Sequence, residues 1–480
     1  MLCFGVPCSA CVAYQLRELM GKVRENKDVV VLEKGVSVRM AVKVCKFGGT
    51  SMASGNIILE AAKIVESDKA RRYVVVSAPG KRFSGDIKVT DLLYKCADEV
   101  EAGNIVAFKE TFGKIRVRFT NIETEIGKDL RISEGLDEAE NEILGGAGRD
   151  YCASRGEFLA AKVMAAVLDV PFVDATEFVR FDENGMLDPI TFELGAKVLS
   201  QYSRAVIPGF YGLGANGKVK TFSRGGGDIS GSIVARSVMA SLYENWTDVS
   251  GFYVCDPRIV NSPKWIPELT YQELRELSYM GANVLHSESI FPVRSAGIPI
   301  RICNTFKPED AGTYIVKNST RDIRGYVVTG IAGKKDFTSI TLEKSLMNSE
   351  VGFVQKVLAI IGNHGVSFEH LPSGIDTMSL VIDDEFLKNG LLDVLIEEMK
   401  EAVHPDKIYV HKDVALVATV GHGMAKNVGT SARLFKALSE AGINVNMIDQ
   451  GSSELNIIVG VDNADYANCI KAIYGEFFGA

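Results

Sequence analysis

Between residues 40 and 306, short apolar runs alternate with stretches of helical periodicity. The runs fall at 40–45, 73–78, 171–173, 205–210 and 298–302, and helical patterns lie among them at 55–67, 156–168 and 229–240. A strand that is apolar along its length must be covered on both faces. The pattern therefore predicts an α/β fold, a mainly parallel sheet between helical layers. The charged, helically patterned stretch at 90–137 reads as an inserted lid or an outer helical layer. Gly145-Gly146-Ala147-Gly148 breaks the chain soon after it.

The texture changes near residue 326, where two similar units follow one another. Each reads strand, helix, strand, strand, with glycines before and after the helix: 338–342, a helix after Gly352, 365–368 and 377–382, then 414–420, a helix after Gly429, 442–445 and 455–459. This is an internal repeat whose units are too small for a secure core alone. Each is expected to pack on its sister or on another subunit. Residues 1–39 carry three cysteines and no basic start, and they read as an N-terminal extension outside the fold rather than a signal peptide. The expected division is 1–39, a catalytic domain at 40–312, and a tandem or interleaved regulatory pair at 325–480.

At 480 residues the chain is too long for one core, so roughly two to four domains are expected. A net charge of -8 argues against nucleic acid as the partner. No apolar run reaches the ~20 residues that span a bilayer. Nine scattered cysteines suit a reducing cytoplasm. Cys8-Ser9-Ala10-Cys11 stands alone, and all six histidines are isolated beyond residue 280. No protein-held metal cluster and no Ser/His/Asp triad is expected.

Lys46-Phe47-Gly48-Gly49-Thr50-Ser51-Met52 sits where the first strand hands over to a helix. Glycines let backbone N–H groups approach a phosphate, the helix N-terminus favours negative charge, and a lysine can reach a transferring phosphoryl group. Ser223-Arg224-Gly225-Gly226-Gly227-Asp228 opens another helix. Arg224 can clamp a carboxylate, and Asp228 either caps the helix or organises reacting groups. Ser154-Arg155-Gly156-Glu157 is expected to open a helix as well, with Glu157 serving the helix dipole or pairing with a substrate ammonium. From Trp246 to Arg258 an aromatic, an acidic turn and an arginine suit an adenine and phosphate pocket, or else a loop around a buried tryptophan. Gly212-Leu213-Gly214-Ala215-Asn216-Gly217 matches a dinucleotide fingerprint but precedes a strand-like run, so it reads as a hairpin tip.

These motifs, in this order, resemble those of aspartate kinases, and the trailing repeats resemble the paired ACT domains of that family. The resemblance covers about 40–480. It implies the amino-acid kinase fold followed by two ACT (βαββαβ, ferredoxin-like) domains. It implies transfer of the ATP γ-phosphoryl to the side-chain carboxylate of L-aspartate, the first step of lysine, threonine and methionine biosynthesis, with Mg²⁺ accompanying ATP. Carried over, Lys46 and Asp228 are catalytic. Ser77, Thr90, Glu157, Phe210 and Arg224 bind substrate, while Lys46, Gly48, Gly49, Ser51, Thr247, Asp248, Tyr253 and Arg258 bind nucleotide. Gly227 replaces a serine of some relatives, and Asn283 replaces a lysine. The ACT pair implies feedback by an end-product amino acid, lysine before threonine, with Met347, Gly352, Phe353, Ser367 and Glu369 as candidate contacts. Met347 and Phe353 also suit a plain core. A homo-oligomer through the ACT domains is implied. The alternatives are another amino-acid kinase of this fold, or a non-catalytic amino-acid sensor.

Overall fold

The computed structural model describes residues 41–223, 225–282, 284–285, 289–319 and 327–479, with the backbone of three short strands before residue 40. Those strands, Glu25–Asn26, Val29–Val31 and Ser37–Arg39, pair antiparallel with one another. Cys8 and Cys11 lie outside the described residues. The chain divides into two compact units, Met1–Thr221 with Ile233–Glu244, and Phe222–Ser232 with Asn245–Ala480.

The first unit is built from β1 (Lys43–Phe47), α1 (Gly55–Glu66), β2 (Arg71–Val76), α2 (Val89–Glu101), α3 (Ile105–Ile126), α4 (Ile132–Leu144), α5 (Arg149–Leu168), α6 (Ile190–Leu199), β3 (Ala205–Pro208), β4 (Tyr211–Leu213) and β5 (Val219–Thr221). Helix α7 (Gly226–Ser237) and strand β6 (Leu242–Thr247) each run through both units. In the first unit the sheet order is β6-β1-β2-β3. β1 and β2 are parallel, as are β2 and β3, with Lys46 opposite Val75 and Val75 opposite Ile207. Val44, Cys45, Val74, Val75 and Val206 are buried, as apolar strands between two layers must be.

The stretch at 90–137 is a packed helical layer, not a lid. Along α3, Phe108, Phe112, Ile115, Phe119 and Ile122 recur at spacings of four and three and are buried. Each such side chain is worth about 1.5–3 kcal/mol on burial. The same helix fastens α1, because Glu125 accepts hydrogen bonds from the free N–H groups of Gly55 (2.7 Å) and Asn56 (3.3 Å). The GxGxxG stretch is a hairpin tip as expected. β4 and β5 pair antiparallel, and Gly214 N–H donates to Lys218 O at 2.8 Å.

One ion cluster lies on the strands of this sheet. Glu244 is fully buried and accepts from Arg71 Nε at 2.7 Å and from Cys45 Sγ at 3.4 Å, with Lys43 Nζ 3.6 Å away. Removing one partner of a buried pair strands the other charge, which costs about 3–5 kcal/mol. Glu244→Gln is therefore expected to lose that much unfolding free energy in urea titration. A loss below ~1 kcal/mol would show the pair to be dispensable.

The second unit carries β7 (Phe252–Tyr253), β8 (Trp265–Ile266), β9 (Glu268–Thr270), α8 (Tyr271–Tyr279), α9 (Phe291–Ala296), β10 (Ile300–Asn304) and β11 (Thr313–Val316). Then come β12 (Gly330–Glu343), α10 (Phe353–Asn363), β13 (Thr377–Asp383), α11 (Leu391–Val403), β14 (Lys407–Val420), α12 (Thr430–Glu440), β15 (Met447–Asp449), β16 (Asn456–Asp462) and α13 (Tyr466–Phe478). Strands β12 to β16 form one antiparallel sheet, ordered β13-β12-β14-β16-β15. β12 and β14 have 14 residues each, and their pairing is irregular around Phe337. On one side of that irregularity Ile340 and Leu342 join a core with Val357, Leu380 and Leu395. On the other side Ile331 joins Val417, Leu434, Val459 and Ile470. The two repeats are thus interleaved, each half of β12 serving a different core.

Two expected strands are absent. Gly365 (φ 67°) and Gly442 (φ 69°) close their helices in the left-handed conformation, and the residues after them run as turn and coil. In the first repeat only an isolated bridge, His370 to Val381, stands where a strand was expected. In the second, β15 starts later, at Met447.

Candidate active site

In the first unit the expected residues gather at the carboxyl ends of three adjacent parallel strands, where open α/β sheets bind ligands. Lys46 is the penultimate residue of β1 and nearly buried. After Gly48 and Gly49 the chain makes one 3-10 turn. Ser51 N–H donates to Gly48 O at 3.0 Å and Met52 N–H to Gly49 O at 3.1 Å. Ser77 follows β2, and its N–H donates to Phe47 O at 3.0 Å. Phe210 follows β3 with φ 78°, a strained conformation for a bulky side chain and one that clusters at functional sites. Thr90 lies in the first turn of α2, half-buried, and the preceding Val89 N–H donates to Pro79 O at 3.1 Å.

Two residues that the sequence did not single out shape this turn. Gly80 N–H donates to Gly49 O at 2.8 Å. A Cβ on Gly80 would lie 2.6 Å from Gly49 C, and one on Gly49 would lie 3.2 Å from Ala78 O. The two backbones touch only because both residues are glycine. The Pro79-Gly80 dipeptide was the available signal for this turn. Arg118, buried on α3, donates to Gly80 O at 2.9 Å, to Asp86 Oδ2 at 2.6 Å and to Ile87 O at 3.2 Å. A long helix thereby holds the loop that holds the glycine turn. Hydrogen bonds from Arg82, assisted by Arg118, keep the Asp86 carboxyl well below the usual carboxylate range.

Glu157 does not open a helix. α5 begins at Arg149, after Gly148 (φ 91°) breaks the chain, so Glu157 lies in the third turn and the helix-dipole role falls away. What places it is Gly156, where a Cβ would lie 2.7 Å from Ala78 Cβ and 3.2 Å from Leu93 Cδ1. The glycine lets α5 close onto the exit of β2. The Glu157 carboxylate then accepts from the Ala78 backbone N–H. Burial pushes Glu157 up to about 8, against the opposing pull of backbone N–H groups, Lys46 and Arg155. Its Oε2 is buried and has no hydrogen-bond partner. A buried carboxylate oxygen left open beside a lysine is suited to a cationic ligand group.

In the second unit, α7 starts after Gly225 (φ 59°), with Gly227 and half-buried Asp228 in its first turn. Asp228 Oδ1 accepts from Asn245 Nδ2 at 2.9 Å. Asn245 is buried on β6 and positions the aspartate. Arg224 and Asn283 lie outside the described residues. Thr247 ends β6, and its hydroxyl donates to Asp248 Oδ1 at 3.2 Å. Trp246 is buried within β6, so the exposed aromatic of this stretch is Tyr253. Arg258 is exposed and forks onto Asp256, with Nε–Oδ1 at 3.0 Å and Nη2–Oδ2 at 2.6 Å.

Of the candidate effector contacts, Met347 and Phe353 are buried in the first regulatory core. Gly352 (φ 84°) caps α10, and Ser367 is exposed. Glu369 N–H donates to Val381 O at 2.8 Å, and burial, together with the Glu369 carboxylate, raises the Tyr279 hydroxyl above its ordinary pKa. Among the described residues no group of three or more His, Cys, Asp or Glu is placed to hold a metal ion. Nor, among them, is any helix long and apolar enough to cross a membrane.

Comparison with known proteins identifies the family. Residues 41–304 match the amino acid kinase family profile, and residues 417–477 match an ACT domain. Aspartokinase 3 of Bacillus subtilis is 41% identical over 460 residues, spanning 91% of this chain and 99% of that protein. The crystal structure of Clostridium acetobutylicum aspartate kinase, 49% identical, superposes with a TM-score of 0.85 over 91% of this chain and 100% of that one. Escherichia coli aspartokinase III, 26% identical, has been solved with aspartate and ADP (R-state) and with lysine and aspartate (T-state). Those two chains give TM-scores of 0.70 and 0.72, covering 91% of this chain and 100% and 99% of theirs. With the family profile spanning more than half of the sequence and a relative matched over nearly its whole length, the chain belongs to the amino acid kinase family, in its aspartate kinase branch.

Proposed function

We propose that this chain transfers the γ-phosphoryl of ATP to the side-chain carboxylate of L-aspartate, giving 4-phospho-L-aspartate. The observation that carries the reading is Glu157, a buried carboxylate with an open oxygen, set beside Lys46 at the strand exits. Glu157 takes the substrate ammonium, while Arg224, Ser77, Thr90 and Phe210 hold the rest of the amino acid. Lys46 balances charge on the migrating phosphoryl group, with the Gly48-Gly49 turn and Ser51 lending N–H groups. Asp228, oriented by Asn245, organises the reacting groups. Thr247, Asp248, Tyr253 and Arg258 bind the nucleotide.

In-line phosphoryl transfer needs positioning and charge balance more than covalent help from the protein. Mg²⁺ fits this donor set as an ion carried by nucleotide phosphates and water, with Asp228 as a candidate carboxylate. When bound it supplies charge neutralisation on the phosphates.

The relative solved with lysine supports feedback by lysine at the ACT repeats, with the backbone near Gly352, together with Ser367 and Glu369, as contacts. Met347 and Phe353 support that site from the core. We further propose a homo-oligomer through these repeats, working in the cytoplasm.

Incubation with Mg-ATP and L-aspartate, trapping the acyl phosphate as its hydroxamate, tests the reading. Product with aspartate and none with other amino acids is expected. A folded protein that turns over no aspartate would favour a sensor instead. Adding lysine to the same assay is expected to inhibit, and threonine to inhibit less. Indifference to lysine would remove the effector assignment.

A further inference from the structure

Within the first unit, the loop between β2 and α2 faces solvent yet is fixed at both ends. From Lys81 to Lys88 every residue is exposed except Asp86, whose side chain is nearly buried, while Gly80 before the loop and Val89 after it are buried. A loop with so little apolar burial depends on polar contacts for its position. Those contacts converge on Asp86. Its Oδ2 accepts from the Arg82 backbone N–H at 3.0 Å, from Arg82 Nε at 2.8 Å and from Arg118 Nη2 at 2.6 Å, and its Oδ1 accepts from Arg82 Nη2 at 3.0 Å. Asp86 N–H donates to Phe83 O at 3.0 Å and closes the loop tip.

Arg118 reaches this loop from α3, and it holds both ends. Nη1 donates to Gly80 O at 2.9 Å, and Nη2, besides meeting Asp86, donates to Ile87 O at 3.2 Å. Gly80 is gripped from two sides, because its own N–H donates to Gly49 O at 2.8 Å. At the other end Ile87 leads into the first turn of α2, where Thr90 stands, and Val89 N–H donates to Pro79 O at 3.1 Å across the loop base. One end of the loop therefore abuts the glycine turn beside Lys46, and the other carries an assigned contact of the amino-acid substrate. A planar guanidinium can bridge two carbonyls and a carboxylate at once. An ammonium on a flexible stem lacks that fixed fork.

We propose that Asp86 and Arg118 are positioning residues for phosphoryl transfer, their ion pair fixing the glycine turn and the Thr90 end of the loop relative to each other so that donor and acceptor meet in line. The proposal rests on the roles given above to Gly49 and Thr90. Neither Asp86 nor Arg118 touches the substrates; they act through Gly80 and the start of α2. In-line transfer is sensitive to small displacements, and a shift of about 1 Å in a reacting group costs about a hundredfold in rate. The grip on aspartate is affected less, because Glu157 and Phe210 stand on other segments, α5 and the end of β3. Loosening the pair thus lowers the rate more than it lowers affinity.

Steady-state kinetics of Asp86→Ala and Arg118→Lys in the full chain tests this. Each is expected to lower kcat about thirtyfold or more, with KM for aspartate and for Mg-ATP within about threefold of the unaltered protein. The double variant is expected to stay within about threefold of the slower single one, because the two residues act as a unit. A kcat within about threefold of the unaltered protein in Asp86→Ala overturns the proposal. So does a higher KM at unchanged kcat, which would make the loop a binding element only, or a lower melting temperature with unchanged kcat, which would make the pair purely structural. Should Arg118→Lys not fold, Asp86→Ala decides, since Asp86 sits on an exposed loop. If the unaltered protein turns over no aspartate, the aspartate kinase reading and the proposal fall together; if it does and the variants match it, only the proposal falls.

Discussion

Lys46→Ala is expected to lower the turnover number about a thousandfold while leaving the fold intact. The side chain sits at the end of a buried parallel strand, beside a turn whose backbones are pressed together at Gly49 and Gly80. Such a site has little water to screen charge, so a cation aimed at a developing phosphoryl charge is worth several kcal/mol, and its removal costs about 10²–10³ in rate. Binding should change less than rate, because the charge Lys46 meets grows toward the transition state. At a pH where Glu157 is ionised, KM for aspartate is therefore expected to shift by less than about threefold. A second consequence follows from Glu157. Lys46 is one of the groups that pull the Glu157 pKa down. Without it Glu157 holds its proton to higher pH. Rapid-quench or coupled kinetics, with thermal melting as the fold control, measures all three effects. Turnover within about tenfold of the unaltered protein would remove Lys46 from the reaction.

Much of this arrangement is legible from the chain because it is written in local patterns. Apolar runs at 73–78 and 205–210 announce strands buried on both faces, and those strands are β2 and β3. Glycines beside Lys46 read as room for a phosphate, whereas the approach the structure shows is that of Gly49 to Gly80. What escapes is whatever depends on a distant partner. Gly49 needs Gly80, Gly80 needs Arg118 a further 38 residues on, and Asp228 needs Asn245, 17 residues later. No periodicity links those positions. The repeats show the same division. Their recurrence can be read from the sequence, but β12 gives its two halves to two different cores, a decision made by pairing with β14. The start of α5 differs from the sequence expectation for a related reason. The Gly156 that looks like a helix opening is instead a contact between the helix and Ala78 at the exit of β2.

Glu157 carries the second large expectation, and its sign can be worked through. Burial raises its pKa from an ordinary 4.5 to about 8. For stability, a raised carboxyl contributes fully below its unfolded pKa, and the contribution is lost as pH rises through about 8. For catalysis the direction reverses, because an ammonium is held by the carboxylate and not by the acid. At pH 6–7 most of the free protein must shed that proton before aspartate binds. The kcat/KM for aspartate is therefore expected to climb about tenfold per pH unit from 6 toward 8 and level off above, while KM for ATP stays flat. Glu157→Gln keeps the shape and removes the titration. It is expected to lose about a hundredfold or more in kcat/KM for aspartate, since an unpaired buried charge costs about 2–5 kcal/mol. The rising limb should vanish with it. The same variant should resist urea better than the unaltered protein near pH 8, because no charge then has to be buried. That opposition, weaker on substrate yet firmer in fold, separates a binding group from a scaffold group. A Glu157→Gln protein that keeps the limb and binds aspartate normally would place the ammonium elsewhere.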